Sequence, residues 1–310
     1  MTSLGSTGAR RRPSRAASWT DRNIKWILVA PAIIVVVALT IFPLCFAIWT
    51  AFVQFDFTVG GTDHPFVGLD NFRAVLDDPV WWHSLWVTAL ISVSAVTVEL
   101  VIGFVLALAM LRPFAGRRVL MVLFVVPLFM SPVIVGMFFD LFLRRPQGPA
   151  NQILSWILPG EYGIDFTLNS PWTFISIIVA DAWQWTPFMF VILLAGLSAI
   201  SDELYEAAEI DGAKPRQSFV FVTLPLLLPI ILIAVTFRFI DATKLFDIIY
   251  TLTRGGPGTS TYTTSYYLYQ QGFELFHLGQ GVAGAWMFTI MLTAISFWLV
   301  RRLLTPAEDE

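Results

Sequence analysis

Long apolar runs alternate with short polar segments along nearly the whole chain. A helix needs about 20 predominantly apolar residues to cross the hydrocarbon core of a bilayer. Six stretches reach that length: Trp26–Phe52, Trp86–Leu111, Val119–Leu143, Trp172–Ile200, Leu224–Tyr250 and Gly279–Leu299. The pattern therefore predicts an all-α, polytopic membrane protein of six transmembrane helices. The third and fifth stretches are the least regular. Pro127 and Pro132 interrupt the third, and Arg238, Asp241, Lys244 and Asp247 sit inside the fifth.

Composition sharpens this picture. Hydrophobic residues make up 56% of the 310 residues and charged residues 13%, against about 25% charged in a soluble domain. Cys45 is the single cysteine, so no disulfide forms within one chain. His64, His83 and His277 fall singly in loops, which argues against a histidine metal cluster. No G-x-x-x-x-G-K-[ST] phosphate loop is present, and Gly212–Ser218 lacks its glycine spacing. No nucleophile–base constellation stands outside the spans, so no catalytic residue is expected. Nothing in the charge distribution calls for nucleic acid.

Cations are concentrated toward the cytoplasmic side of membrane proteins. With the N-terminus inside, thirteen lysines and arginines fall on that side, six of them in the tail before the first span. Only Arg73, Arg144, Arg145 and Arg254 fall outside. This bias predicts that both termini are cytoplasmic. The first apolar run is too long for a cleaved signal peptide. We expect a basic, unstructured tail over residues 1–24, a permease domain over 25–303, and a short acidic tail over 304–310. Trp81, Trp82 and Trp86 are expected to form an aromatic belt at the outer end of the second span.

The segment Ser201–Val222 is an island of charge between the fourth and fifth spans, on the predicted cytoplasmic side. Ser201 is a suitable N-cap, and Asp202 and Glu203 complement the positive end of a helix dipole. Leu204, Tyr205, Ala207 and Ala208 continue a short helix with a small-residue face. Gly212 stands where a helix ends on a left-handed residue, and Pro215 suits the first turn of a second helix. On residues alone this is a cytoplasmic loop of two surface helices.

The pattern E-A-A-x-x-x-G at Glu206, Ala207, Ala208 and Gly212, with Asp211 inside it and T-L-P at Thr223, Leu224 and Pro225, resembles the coupling motif of permease subunits of ATP-binding-cassette importers. The run Phe246–Gly258 (FDIIYTLTRGGPG), Ala30–Ala32 (APA) and Phe66–Phe72 (FVGLDNF) narrow the likeness to F-type permeases of carbohydrate importers. It covers the chain from about residue 25. It departs from the maltose protein, which has extra N-terminal spans and a large periplasmic insertion. The resemblance implies a type I importer permease fold in a bacterial or archaeal cytoplasmic membrane. It implies a second homologous permease, two copies of an ATPase subunit that bind ATP and Mg, and an extracytoplasmic binding protein. Its substrate would be a sugar, polyol or glycoside. ATPase coupling would fall to Glu206, Ala207, Ala208, Asp211, Gly212, Leu224 and Pro225.

Ionisable residues inside spans are costly and often line polar cavities. Asp181, Gln184, Trp185 and Phe188 share one face of the fourth span at helical spacing, and Arg238, Asp241, Ala242 and Leu245 share one face of the fifth. These shared faces make the eight residues substrate-path candidates, and the resemblance implies the same for all of them but Asp241. The same residues are equally readable as packing: Asp181 and Arg238 as an interhelical ion pair, Trp183 and Trp185 as lipid-facing rings. Glu99 and Asp140 are read as structural. A glycerol-3-phosphate-like anion remains open as substrate, with Arg238 as its charge partner. So do an ion-driven secondary transporter using Asp181, Asp241 and Lys244, and a scaffold that recruits an ATPase without transport.

Overall fold

The computed structural model describes residues 15–55, 64–145, 148–157 and 163–304. Among these the protein is helical throughout, with a single β-bridge between Val53 and Phe66. The helices are α1 (Arg15–Ala51), α2 (Asp70–Asp77), α3 (Pro79–Ala109), α4 (Arg117–Val125), α5 (Pro132–Leu143), α6 (Pro149–Ile157), α7 (Trp172–Ser198), α8 (Asp202–Ile210), α9 (Pro215–Ser218), α10 (Leu224–Ala242), α11 (Thr264–Tyr269) and α12 (Leu278–Leu304). Among the described residues five helical segments have the length and apolarity of a membrane span, and the bent pair α4–α5 makes a sixth when it is counted as one span.

That sixth span is the irregular third stretch. Pro127 and Pro132 cannot donate to a helix ladder. The chain runs α4 into a 3₁₀ turn over Val126–Phe129, turns by 100°, and resumes as α5. Ser131 is extended at the break, with φ −65° and ψ 136°.

The fifth span differs from expectation. Its helix ends at Ala242, and Thr243 and Lys244 form a turn. Leu245 therefore lies beyond the helix and off the face it was expected to share with Arg238, Asp241 and Ala242. Thr243 aids the stop, because its hydroxyl donates to the Ile240 carbonyl at 2.8 Å. At the other end the helix is entered through a π-helical turn over Phe219–Thr223. At the N-terminus the correction runs the other way. No glycine or proline lies between Ser14 and Ala30, and α1 extends back to Arg15, so residues 15–24 are helical rather than an unstructured tail. The rest of that tail, residues 1–14, and nearly all of the expected C-terminal tail, residues 305–310, lie outside the described residues.

The core is built on α3 against α7, the most extensive helix pair. Small residues allow the approach, as they do in helix packing within membranes. A Cβ on Gly103 would lie 2.8 Å from the Met189 Cβ and 2.9 Å from the Phe190 nitrogen. Helix α10 packs on both α3 and α7, and α5 packs on α7 and on the π-helical turn Ile249–Thr253. Helix α1 lies along α12 and leaves most of its apolar surface open.

Side chains pin the connections at this end of the bundle to the ends of the helices. Asn71 donates to the carbonyls of Ala51 and Val53, both at 2.9 Å, which ties α2 to the end of α1. Asp78 caps α3 by accepting from the Val80 nitrogen at 2.8 Å, and accepts from the Tyr267 hydroxyl at 2.8 Å. Burial, then the bond to that carboxylate, pushes the Tyr267 phenol well above its ordinary range, so it stays a donor. Trp81 is buried against Tyr267, with ring centroids 5.7 Å apart. It is thus a core residue and not part of an aromatic belt. Trp82 and Trp86, one turn apart on the opposite face, are exposed as expected.

Candidate functional site

Two features carry the functional reading: the loop joining α7 to α10, and the charged groups held between α3, α7 and α10.

The loop folds as its local chemistry dictates. Ser201 is extended and its hydroxyl accepts from the Glu203 nitrogen at 3.4 Å, which caps α8. Acidic Asp202 and Glu203 follow in the first turn. Gly212 closes α8 with φ +79°. Its N–H donates to the Glu209 carbonyl at 3.0 Å and the Ala213 N–H donates to the Ala208 carbonyl at 2.9 Å. This pair of bonds is a Schellman stop. Pro215 then opens α9, and the Gln217 side chain accepts from the Lys214 nitrogen at 2.8 Å. Tyr205 and Thr223 hydrogen bond through their hydroxyls at 2.9 Å, so α8 is braced against the start of α10.

Within this brace, Glu206, Ala207, Asp211 and Gly212 are exposed and Ala208 is partly covered. Leu224 and Pro225 are exposed at the start of α10. Ile210 is 86% exposed and Leu204 45%.

The second feature centres on Arg238, whose side chain is 1% exposed. Its Nε lies 2.9 Å from Glu99 Oε2, and its Nη2 donates to Glu99 Oε1 at 2.9 Å. Nη2 also donates to Asp181 Oδ2, and Nη1 donates to Asp241 Oδ2 at 3.2 Å. Glu99 and Asp181 are buried like the arginine, whereas the Asp241 side chain is 43% exposed. The Trp185 ring lies under the guanidinium, with its centroid 4.8 Å from Cζ. Gln184 is buried and donates to the Met130 carbonyl at 2.8 Å, at the break of the bent span.

The eight path candidates thus separate. Asp181, Gln184 and Arg238 are internal and line none of the larger cavities found among the described residues. Ala242 is buried, and Leu245 sits past the helix end. Trp185 and Phe188 are partly exposed, and Phe188 stacks on the exposed Phe237 at 5.7 Å. Phe237 and Asp241, one turn apart on α10, reach the surface, and so does Lys244 in the turn after the helix. Glu99, read as structural, is a buried ion-pair residue, and what sequence reasoning missed is that Arg238 is its partner. The signal was available: Arg238 and Lys244 are the two cations within the predicted spans, and buried acids need one as partner. Asp140, by contrast, pairs with Arg144 one turn away on the exposed side of α5.

A multi-pass helical bundle with a capped, exposed loop at one end of two spans has the form of a membrane subunit. Comparison with known proteins makes the assignment specific. The family model for the binding-protein-dependent transport system inner membrane component matches residues 99–305, and the chain belongs to that family. It is 35% identical over 285 residues to the sulfoquinovosyl glycerol transport system permease protein SmoG of Agrobacterium fabrum, covering 91% of both chains. It is 34% identical over 283 residues to the trehalose/maltose transport system permease protein MalF of Thermococcus litoralis, covering 91% of this chain and 93% of that one. It is 33% identical over 291 residues to the sn-glycerol-3-phosphate transport system permease protein UgpA of Agrobacterium fabrum, covering 91% and 96%. The fold matches a crystal structure of a bacterial transporter for import of the acidic polysaccharide alginate, with a TM-score of 0.80, 22% identity, and coverage of 94% of this chain and 100% of that one. The protein is accordingly a non-catalytic, multi-pass inner-membrane permease subunit of an ATP-binding-cassette importer, and ATP hydrolysis belongs to partner subunits.

Proposed function

We propose that this chain and a second, homologous permease together enclose the translocation path for a sugar, polyol or glycoside. Of two copies of an ATPase subunit, which bind ATP and Mg, one docks on the α8 loop through Glu206, Ala207, Ala208, Asp211 and Gly212 and the other docks on the second permease. An extracytoplasmic binding protein delivers the substrate. Both termini lie in the cytoplasm of a bacterial or archaeal cell, as the cation bias requires.

The single observation that carries the path reading is the surface formed by Phe237 and Asp241 on α10 and by Lys244 in the turn that follows, flanked by Trp185 and Phe188. Two exposed ionisable groups at membrane depth are too costly to face lipid. Beside three aromatic rings they suit a polyhydroxyl ligand, whose hydroxyls need donors and acceptors and whose C–H faces lie on rings. What covers this surface is then the second permease or the path between the two.

The relative that carries glycerol-3-phosphate in its name supports a second reading, in which the substrate is a small anion. Arg238 is a poor partner for it, because three carboxylates already surround the guanidinium. Lys244, exposed on the same surface, is the available cation. Competition for uptake by the reconstituted importer separates the two. Neutral disaccharides and polyols should compete and glycerol-3-phosphate should not; the reverse result would overturn the neutral-substrate reading.

A further inference from the structure

The buried ion cluster stands where the two arms of the docking loop meet again. Helix α7 enters the loop and α10 leaves it. Asp181 on α7 and Arg238 on α10 rejoin them inside the bundle, where both side chains are buried. Arg238 lies fourteen residues beyond Leu224, which is about 21 Å along a helix rising 1.5 Å per residue. Glu99 extends the same cross-link to α3, the helix that packs most extensively on α7.

Helix α10 needs such a tie. It starts from a π-helical turn and holds Pro229 inside it. Both features weaken the hydrogen-bond ladder and favour bending. A displacement applied at α8 would be absorbed there if the far end of α10 were free. One turn from Asp181 on the same face of α7, Gln184 grips the Met130 carbonyl, where the bent span turns by 100°. A movement of the tied helices is thereby delivered to the one break in the bundle that lies between two span-forming helices.

We propose that Glu99, Asp181 and Arg238 form a transmission strut. It makes α3, α7 and α10 move as one body under the docking loop, and Gln184 passes that movement to the Met130–Ser131 break. Glu99 is a positioning residue in this scheme: it touches no substrate and acts by holding Arg238. The proposal rests on the importer reading above.

The test uses the importer assembled with its partner permease, ATPase and binding protein. Spin labels are placed at Val122→Cys and Leu141→Cys, either side of the break, in a Cys45→Ser background; both positions are exposed. Their separation is measured nucleotide-free and after vanadate trapping with ATP. The parent complex should show a shift in distance between the two states. Glu99→Gln should lose that shift while still trapping ADP, and Glu99→Asp should restore part of it. If Glu99→Gln does not assemble, Gln184→Leu removes only the amide bond to Met130 and should lose the shift with the ion cluster intact. A parent complex whose break does not move, or variants that trap ADP and keep the full shift, would overturn the strut. A parent complex that traps no ADP would overturn the importer reading itself, a distinguishable result.

Discussion

Gly212 offers the cleanest quantitative test of the docking loop, because its surroundings separate backbone strain from side-chain clash. The residue ends α8 with φ +79°, and a Cβ built on it meets nothing within 4 Å. Substitution by alanine therefore adds no steric conflict. What it adds is the penalty of a left-handed backbone for an L-residue, about 1–2 kcal/mol. The Schellman bonds from Gly212 and Ala213 to Glu209 and Ala208 form only in that conformation. The free loop can relax away from the strain, and docking must then restore the lost shape. The apparent affinity for the ATPase falls by the fraction of loops still competent, which for 1–2 kcal/mol is about 5- to 30-fold. Asparagine tolerates the left-handed region and should bind nearly as well as glycine, whereas valine should be worse than alanine. The assay is equilibrium binding of purified ATPase to the permease pair in nanodiscs. Equal affinities across glycine, asparagine, alanine and valine would show that the left-handed stop is not retained on docking and would refute the reasoning.

Two further substitutions test the fold that supports the loop. Gly103→Leu drives a side chain into Met189 and the backbone at Phe190; despite better helix propensity it should destabilise the bundle by about 1–3 kcal/mol, read as a lower thermal midpoint of the purified complex. Tyr267→Phe removes the hydroxyl that donates to Asp78 at 2.8 Å and should cost about 1 kcal/mol by the same measurement, since water replaces the lost donor at a partly exposed carboxylate.

The membrane spans and the docking loop were legible in the sequence for a physical reason. Both are set by local chemistry: apolar length for the spans, and capping residues and turn residues for the loop. Ser201, Gly212 and Pro215 each do in the structure what their residue type favours. The break at Pro127 and Pro132 was equally local, although its 100° angle was not readable. Tertiary contacts decided the rest. Periodicity extended α10 through Leu245, but a threonine stop at Thr243 ended it, and no apolar pattern marks such a stop. Trp81 and Trp82 are neighbours in sequence and point to different environments, which depends on how α3 is rotated against α11. The buried part of the ion cluster, Glu99, Asp181 and Arg238, draws one residue from each of three helices. Asp181 and Arg238 were paired in prospect, but Glu99, 139 positions from Arg238, could be joined to them only once the helices were packed.

The central claim is that the α8 loop links ATP hydrolysis by a partner to transport through this chain. It is tested most directly by the ATPase activity of the reconstituted importer, with and without its loaded binding protein, for the native chain and for Glu206→Lys. Glu206 is exposed on α8, so reversing its charge changes the docking surface and leaves the bundle intact. The account predicts that loaded binding protein stimulates hydrolysis in the native complex and that Glu206→Lys loses this stimulation. Full stimulation in the Glu206→Lys complex, with uptake unchanged, would contradict it.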